Sequence, residues 1–357
     1  MNERIPEEIV FAALPGKGGN IGHILLNRPK ALNALTKEMC QALRGQLKQW
    51  QKDKHIKAVI IQGEGERAFC AGGDIRSLYY EGKDNPQAAL DFFRHEYRMN
   101  ASIYHFDKPY ISFLDGITMG GGAGVSMHGS HRVATERLLY AMPETGIGFF
   151  PDIGAGYFLS RMTERIGHYL GLTGERISAG DAYHFGMVTH LIHSAEQAEV
   201  IRAITESSFT AQDNDIVSDI IDQFTITMPP AELVEHHRVI ANSFDGKSVE
   251  EIIIKLQAIH SDWALTTLEK LKSKSPTSLK VTFEQLRRAV NMSFDDIMNM
   301  ELNIAAQFLK TPDFYEGVRA AIIDKDQSPQ WRPDRLEQVT EDKVQTYFLG
   351  KENLALD

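Results

Sequence analysis

The chain has 357 residues, 43% hydrophobic and 24% charged, a composition that supports a large folded core and a second unit beyond one average domain. Its formal net charge of −10 argues against a general polyanion-binding surface, nucleic acid included. Only two cysteines occur, Cys40 and Cys70, too few for a disulfide framework or a thiolate metal centre, and no run of about eighteen apolar residues is present to span a bilayer. The opening MNERIPEEIV shows neither the basic and apolar pattern of a secretory leader nor that of a transit peptide, so a cytoplasmic location is the expectation.

In chain order, apolar runs at 8–14 and 21–26 flank PGKGGN and predict a β-hairpin, which Pro29 ends. A helix over 36–50 starts at Thr36 and puts Met39, Leu43, Leu47 and Trp50 on one face, and a strand follows over 58–61. Strands alternating with helices indicate an α/β fold. The loop GEGERAFCAGGD, residues 63–74, contains Gly72 and Gly73, where backbone can come close to a bound group. Cys70 in that loop has no adjacent histidine and reads as a small buried thiol. Pro86 opens a helix to about 104, with Leu90, Phe93 and Tyr97 on one face. Glu96, beside Arg94, His95 and Arg98, reads locally as a solvated charge.

An apolar run at 110–114 leads into the triplet Gly120, Gly121 and Gly122, a strand feeding a helix whose first amides have no partner and favour negative charge. Glu144 and Asp152 follow, each directly after a proline and among glycines and apolar side chains. Bare amides followed by two such acids suggest acyl chemistry; the local alternative is a tight turn and two turn-capping acids. Thirteen histidines are scattered without metal-ligand spacing, so no metal is expected. Beyond 162 the pattern is mainly helical: a helix opened by Ser178, a strand at 188–192, then helices at 195–207, 248–258, 263–272, 276–292, 294–309 and 314–323. Pro229 and Pro230 suggest a division into a core, 1–228, and a C-terminal helical region, 229–357.

Three motifs, AFCAGGDI (68–75), DGITMGGGAGVSMHG (115–129) and MPETGIGFFPDIGAGYFLSRM (142–162), resemble the crotonase, or enoyl-CoA hydratase/isomerase, superfamily. With FFRHEYRMN (92–100) and FYEGVRAAIIDKDQSPQWRPD (314–334) they resemble its 3-hydroxyisobutyryl-CoA hydrolase subfamily. The resemblance implies a spiral of β-β-α repeats with a C-terminal helical region, and a coenzyme A thioester as substrate in valine catabolism, with no further cofactor. It assigns the oxyanion amides to Gly73 and Gly121 and the catalytic pair to Glu144 and Asp152. Glu96 becomes an acyl-pocket residue, Ala71 and Asp74 lie toward the adenine, and Arg28 and Lys30 are candidates for phosphates. The first of the two glutamates of a hydratase falls at Gly124, which has no side chain to activate water. A thioester hydrolase is therefore expected, ahead of a lyase or isomerase using Glu144 alone and of a CoA-binding protein without catalysis. For assembly, the superfamily points to trimers and the added C-terminal helices to their obstruction, so oligomeric state stays open.

Overall fold

The computed structural model describes residues 7–209 and 213–356; residues 1–6 of the opening stretch, on which the expectation of compartment rests, lie outside them. The chain forms two compact units, each drawn from three separated segments: 1–73, 98–140 and 177–234 in the first, and 74–97, 141–176 and 235–357 in the second. The chain passes between the units five times, the last time after Val234.

The first unit holds a six-stranded sheet in the order Ile9–Leu14, Asn20–Leu26, Ile56–Gly63, Tyr110–Leu114, His131–Thr135 and His190–Ile192. Its first pair is the expected antiparallel hairpin and the rest are parallel. A second sheet runs Ala68–Cys70, Ile117–Met119, Leu139–Ala141 and Ile177–Ser178. Three times in succession one strand enters the large sheet and the next enters the small one, and successive repeats are neighbours in both. This is the expected spiral of β-β-α repeats. Alternate residues Ala58 and Ile60, and Ile111 and Phe113, meet Val200 and Ile204 of helix Gln197–Glu206 and Val217 and Ile221 of helix Asp213–Asp222. Period two on the strands and period four on the helices thus converge on one core. Thr36 caps helix Lys37–Lys52 by accepting from the Met39 amide at 3.2 Å.

The second unit is helical. Its C-terminal part runs through Val249–Gln257, Asp262–Ser273, Pro276–Ala289, Phe294–Phe308 and Pro312–Val318, close to the predicted elements. Ser248, Ser261, Ser275 and Ser293 each cap the helix that follows, accepting from a backbone amide two or three residues into it. The helix Ile75–Asp84 is not anticipated by the sequence pattern, which shows only a loop ahead of it. Among the described residues no helix is long and apolar enough to cross a membrane.

Candidate active site

The glycine loops of the first unit are built by close backbone approach. Gly72 has φ 118 and Gly120 has φ 49, values that favour glycine. A Cβ on Gly72 would lie 3.4 Å from the Met119 carbonyl oxygen and 3.7 Å from the Gly121 nitrogen, so the two loops run side by side. A Cβ on Gly122 would collide with the Cys70 carbonyl oxygen, which leaves no room for any side chain. Gly121 opens the four-residue helix Gly121–Gly124, and a first helical amide has no intrahelical acceptor. Leu35 bridges to Gly73 by donating to the Gly72 carbonyl at 2.8 Å, a parallel pairing that leaves the Gly73 amide out of the ladder. Two adjacent loops thus each place an amide outside the helix and strand ladders.

Other expected ligands in these segments have local duties. Arg28 Nε pairs with Glu8 at 3.0 Å and its Nη1 donates to the Ala34 carbonyl at 2.6 Å, which ties down its own loop; Lys30 is exposed. The Ala71 amide donates to the Leu32 carbonyl at 3.0 Å. Asp74 caps helix Ile75–Asp84, accepting from the Ser77 amide at 3.3 Å. Cys40 and Cys70 are both buried, and neither is in a disulfide.

The second unit brings three acids together out of water. Glu96, from helix Pro86–Tyr104, is 2% exposed; Glu144, at the head of the turn Glu144–Ile147, is 6% exposed; Asp152 is 5% exposed. The local reading of Glu96 as a solvated charge is therefore corrected. Its helix buries a stripe through Ala89, Phe93 and Tyr97, and Glu96 lies on that stripe. Aromatic side chains surround the FFPD segment: Phe149 stacks on Phe93 with centroids 5.1 Å apart and also meets Phe308 and Phe314, and Phe150 stacks on Phe308. Such surroundings disfavour charge. Burial holds the Glu96 carboxyl well above its ordinary range, with Asp152 and then Glu144 adding repulsion. Burial does the same to Glu144, with Asp152 adding to it, and pushes Asp152 up to about 7.

Tyr97 donates its hydroxyl to Asp152 Oδ2 at 2.7 Å, which favours the ionised form and offsets part of the burial. Neither Glu96 Oε1 nor Glu144 Oε2 has a hydrogen-bond partner, although both are buried. Buried polar atoms left unpaired are costly, so each calls for an explanation. Glu144's turn is fixed from outside: Thr145 donates to the Leu172 carbonyl at 3.1 Å, and the Ser275 amide donates to the Thr145 carbonyl at 3.3 Å. Gly148 and Gly317 let this turn pack directly on helix Pro312–Val318.

Two members of the cluster escape the sequence reading. Tyr97 reads as an apolar helix-face residue, and its hydroxyl has no local signal. Glu301, fully buried in helix Phe294–Phe308, lies on a stripe that is otherwise Phe294, Ile297, Met298, Leu302, Ala305 and Phe308. An acid on an apolar stripe is the signal that both Glu96 and Glu301 carry.

The model of the enoyl-CoA hydratase/isomerase family matches residues 21–348. The chain belongs to that family. It is 44% identical over 347 residues to the mitochondrial 3-hydroxyisobutyryl-CoA hydrolase of Xenopus laevis, covering 95% of this chain and 90% of that one. The human protein of the same name is 42% identical over 345 residues, covering 95% and 89%. Among solved structures, a carnitinyl-CoA dehydratase from Mycobacterium thermoresistibile superposes with a TM-score of 0.90 at 36% identity, covering 99% of each chain. The relatives' names overturn the cytoplasmic expectation, since they are mitochondrial proteins. The physical reason is simple: a leader is a removable segment outside the fold, so the residues that build the fold carry no information on compartment.

Proposed function

We propose that this chain hydrolyses a short 3-hydroxyacyl-CoA thioester, with 3-hydroxyisobutyryl-CoA giving 3-hydroxyisobutyrate and CoA. The observation that carries the reading is the buried Glu144–Asp152 pair, with a Glu144 oxygen left without a partner, in a chain whose other hydratase position is Gly124. Named relatives at 42–44% identity support the same substrate.

Glu144 drives attack on the thioester carbonyl, as nucleophile or as general base for water. Burial raises its carboxyl, so that once deprotonated it is a stronger base than an ordinary glutamate. The attack moves charge to the carbonyl oxygen, for which the Gly73 and Gly121 amides are the donors, each commonly worth about 2.7–4 kcal/mol in such reactions. The carbon–sulfur bond then breaks and CoA leaves as thiolate. By the nucleophilic route a mixed anhydride remains, which water opens; by the general-base route the acid forms directly. Asp152 has Oδ2 engaged by Tyr97, and its other oxygen accepts the substrate's 3-hydroxyl or places the water. Glu96 contacts the same hydroxyl or the water with its free oxygen. Coenzyme A enters as part of the substrate, and the mechanism draws on no other cofactor.

The test is release of free thiol from 3-hydroxyisobutyryl-CoA, set beside hydration of crotonyl-CoA followed by loss of the conjugated thioester's absorbance. Thiol release with negligible hydration is the expected result. Comparable hydration would replace this reading with a lyase, and neither reaction would leave a binding protein.

A further inference from the structure

Asp152 lies in a loop with an unfavourable backbone. Ile153 has φ 58, a left-handed conformation that a β-branched side chain ordinarily avoids, and Gly154 follows at φ 82. Such a conformation persists only where its surroundings over-determine it. Here they come from two C-terminal helices. Glu301, from helix Phe294–Phe308, accepts the Gly154 amide at 2.6 Å and the Gly156 amide at 2.9 Å, one on each carboxylate oxygen. Gln285, from helix Pro276–Ala289, donates through Nε2 to Glu301 Oε1 at 2.9 Å and to the Pro151 carbonyl at 2.8 Å. The loop is therefore gripped on both sides of Asp152, by its carbonyl before and by its amides after.

An acid is an expensive way to brace a loop in the interior. Glu301 is fully buried, and burial pushes its carboxyl up to about 8, while the bonds from Gly154, Gly156 and Gln285 pull the other way. A carboxyl group offers an acceptor oxygen to each of two converging amides, whereas a glutamine replaces one of those oxygens with a donor. We propose that Glu301, braced by Gln285, is the positioning residue for Asp152, setting the backbone from Pro151 to Gly156 so that the Asp152 carboxyl keeps the orientation the hydrolysis needs. The proposal rests on the reading that Asp152 takes part in that reaction.

Steady-state kinetics on 3-hydroxyisobutyryl-CoA with the full chain test it, using Glu301→Gln, Asp152→Asn and the double variant. Glu301→Gln should lower kcat about 10–100-fold with KM changed by less than about threefold, as expected when a reacting group is misplaced by a fraction of an ångström. In the Asp152→Asn background the same substitution should cost less than about threefold, because both changes act through one group. Equal losses in both backgrounds, or a loss confined to KM, would overturn the proposal. An active Glu301→Gln beside an impaired Asp152→Asn would overturn positioning alone. An unimpaired Asp152→Asn would remove the functional reading beneath it and the proposal too. If Glu301→Gln does not fold, Gln285→Met decides: it keeps both amide bonds, cuts the tie to Pro151, and should lower kcat about 3–10-fold with the same non-additivity. A fully active Gln285→Met would then reject the idea.

Discussion

The two regions that the proposed mechanism draws on are made of different material. The glycine loops of the first unit are backbone throughout: their shape depends on side chains being absent, and Gly122 has a carbonyl where its Cβ would be. The acid cluster of the second unit is all side chain, drawn from Glu96, Tyr97, Glu144, Asp152 and Glu301 and closed in aromatic rings. Backbone amides carry a fixed partial charge at every pH. Buried carboxyls are tuned, since each loses solvent and feels its neighbours. The comparison predicts that the amide region fails through shape and the acid region through charge.

The largest effect belongs to Glu144→Gln. The amide matches the carboxylate in size, so only nucleophilicity and proton transfer are removed, and kcat should fall by about 10³ or more. Binding of CoA, followed by calorimetry, should persist within a few fold. An active variant would remove charge from the acid region's role and with it the contrast between the two.

Next in size is Gly122→Ala. A Cβ there would collide with the Cys70 carbonyl oxygen, so the loop carrying Gly121 must move. Displacing an oxyanion donor commonly costs about 10²–10³ in kcat, and overpacking should destabilise by about 1–3 kcal/mol. A thermal melt establishes that the variant is folded before its rate is read. A folded variant with undiminished kcat would mean that the triplet is only a turn.

The two regions also differ in how far the sequence shows them. The spiral core is legible because its strands are short apolar runs punctuated by glycine and proline, and hairpin 9–26 and helix Lys37–Lys52 carry their own turn and cap. The glycine loops are legible for the same reason: a backbone site is written in consecutive residues. Glu144 and Asp152 stand out through their prolines and glycines. Glu96 misleads a local reading because its three polar neighbours, Arg94, His95 and Arg98, hide its place on the buried stripe. Tyr97 and Glu301 are invisible as partners because they meet the Asp152 loop from helices 55 and about 150 residues away in sequence. Helix Ile75–Asp84 escapes because Asp74, its cap, reads only as part of a glycine loop.

The smallest effect is also the sharpest test of tuning, and it concerns stability. Asp152 moves from an ordinary 3.8 to about 7 on folding, so the native state binds its proton more tightly than the unfolded chain does. Stability from this group is then complete below about pH 4 and is lost as pH rises through about 7. An asparagine at this position has no proton to lose. The stability of Asp152→Asn relative to the parent, followed by melting temperature, should therefore rise by about 2.5 kcal/mol between pH 5 and pH 8. In the first unit the buried His131, held down to about 4, acts in the opposite sense, costing stability as pH falls below its ordinary 6.5. Both proteins share that contribution, and the subtraction removes it. A gap that stays constant from pH 5 to pH 8 would mean that Asp152 is ionised throughout, and the acid region would then be a fixed array of charges like the amides, with no tuning to distinguish it.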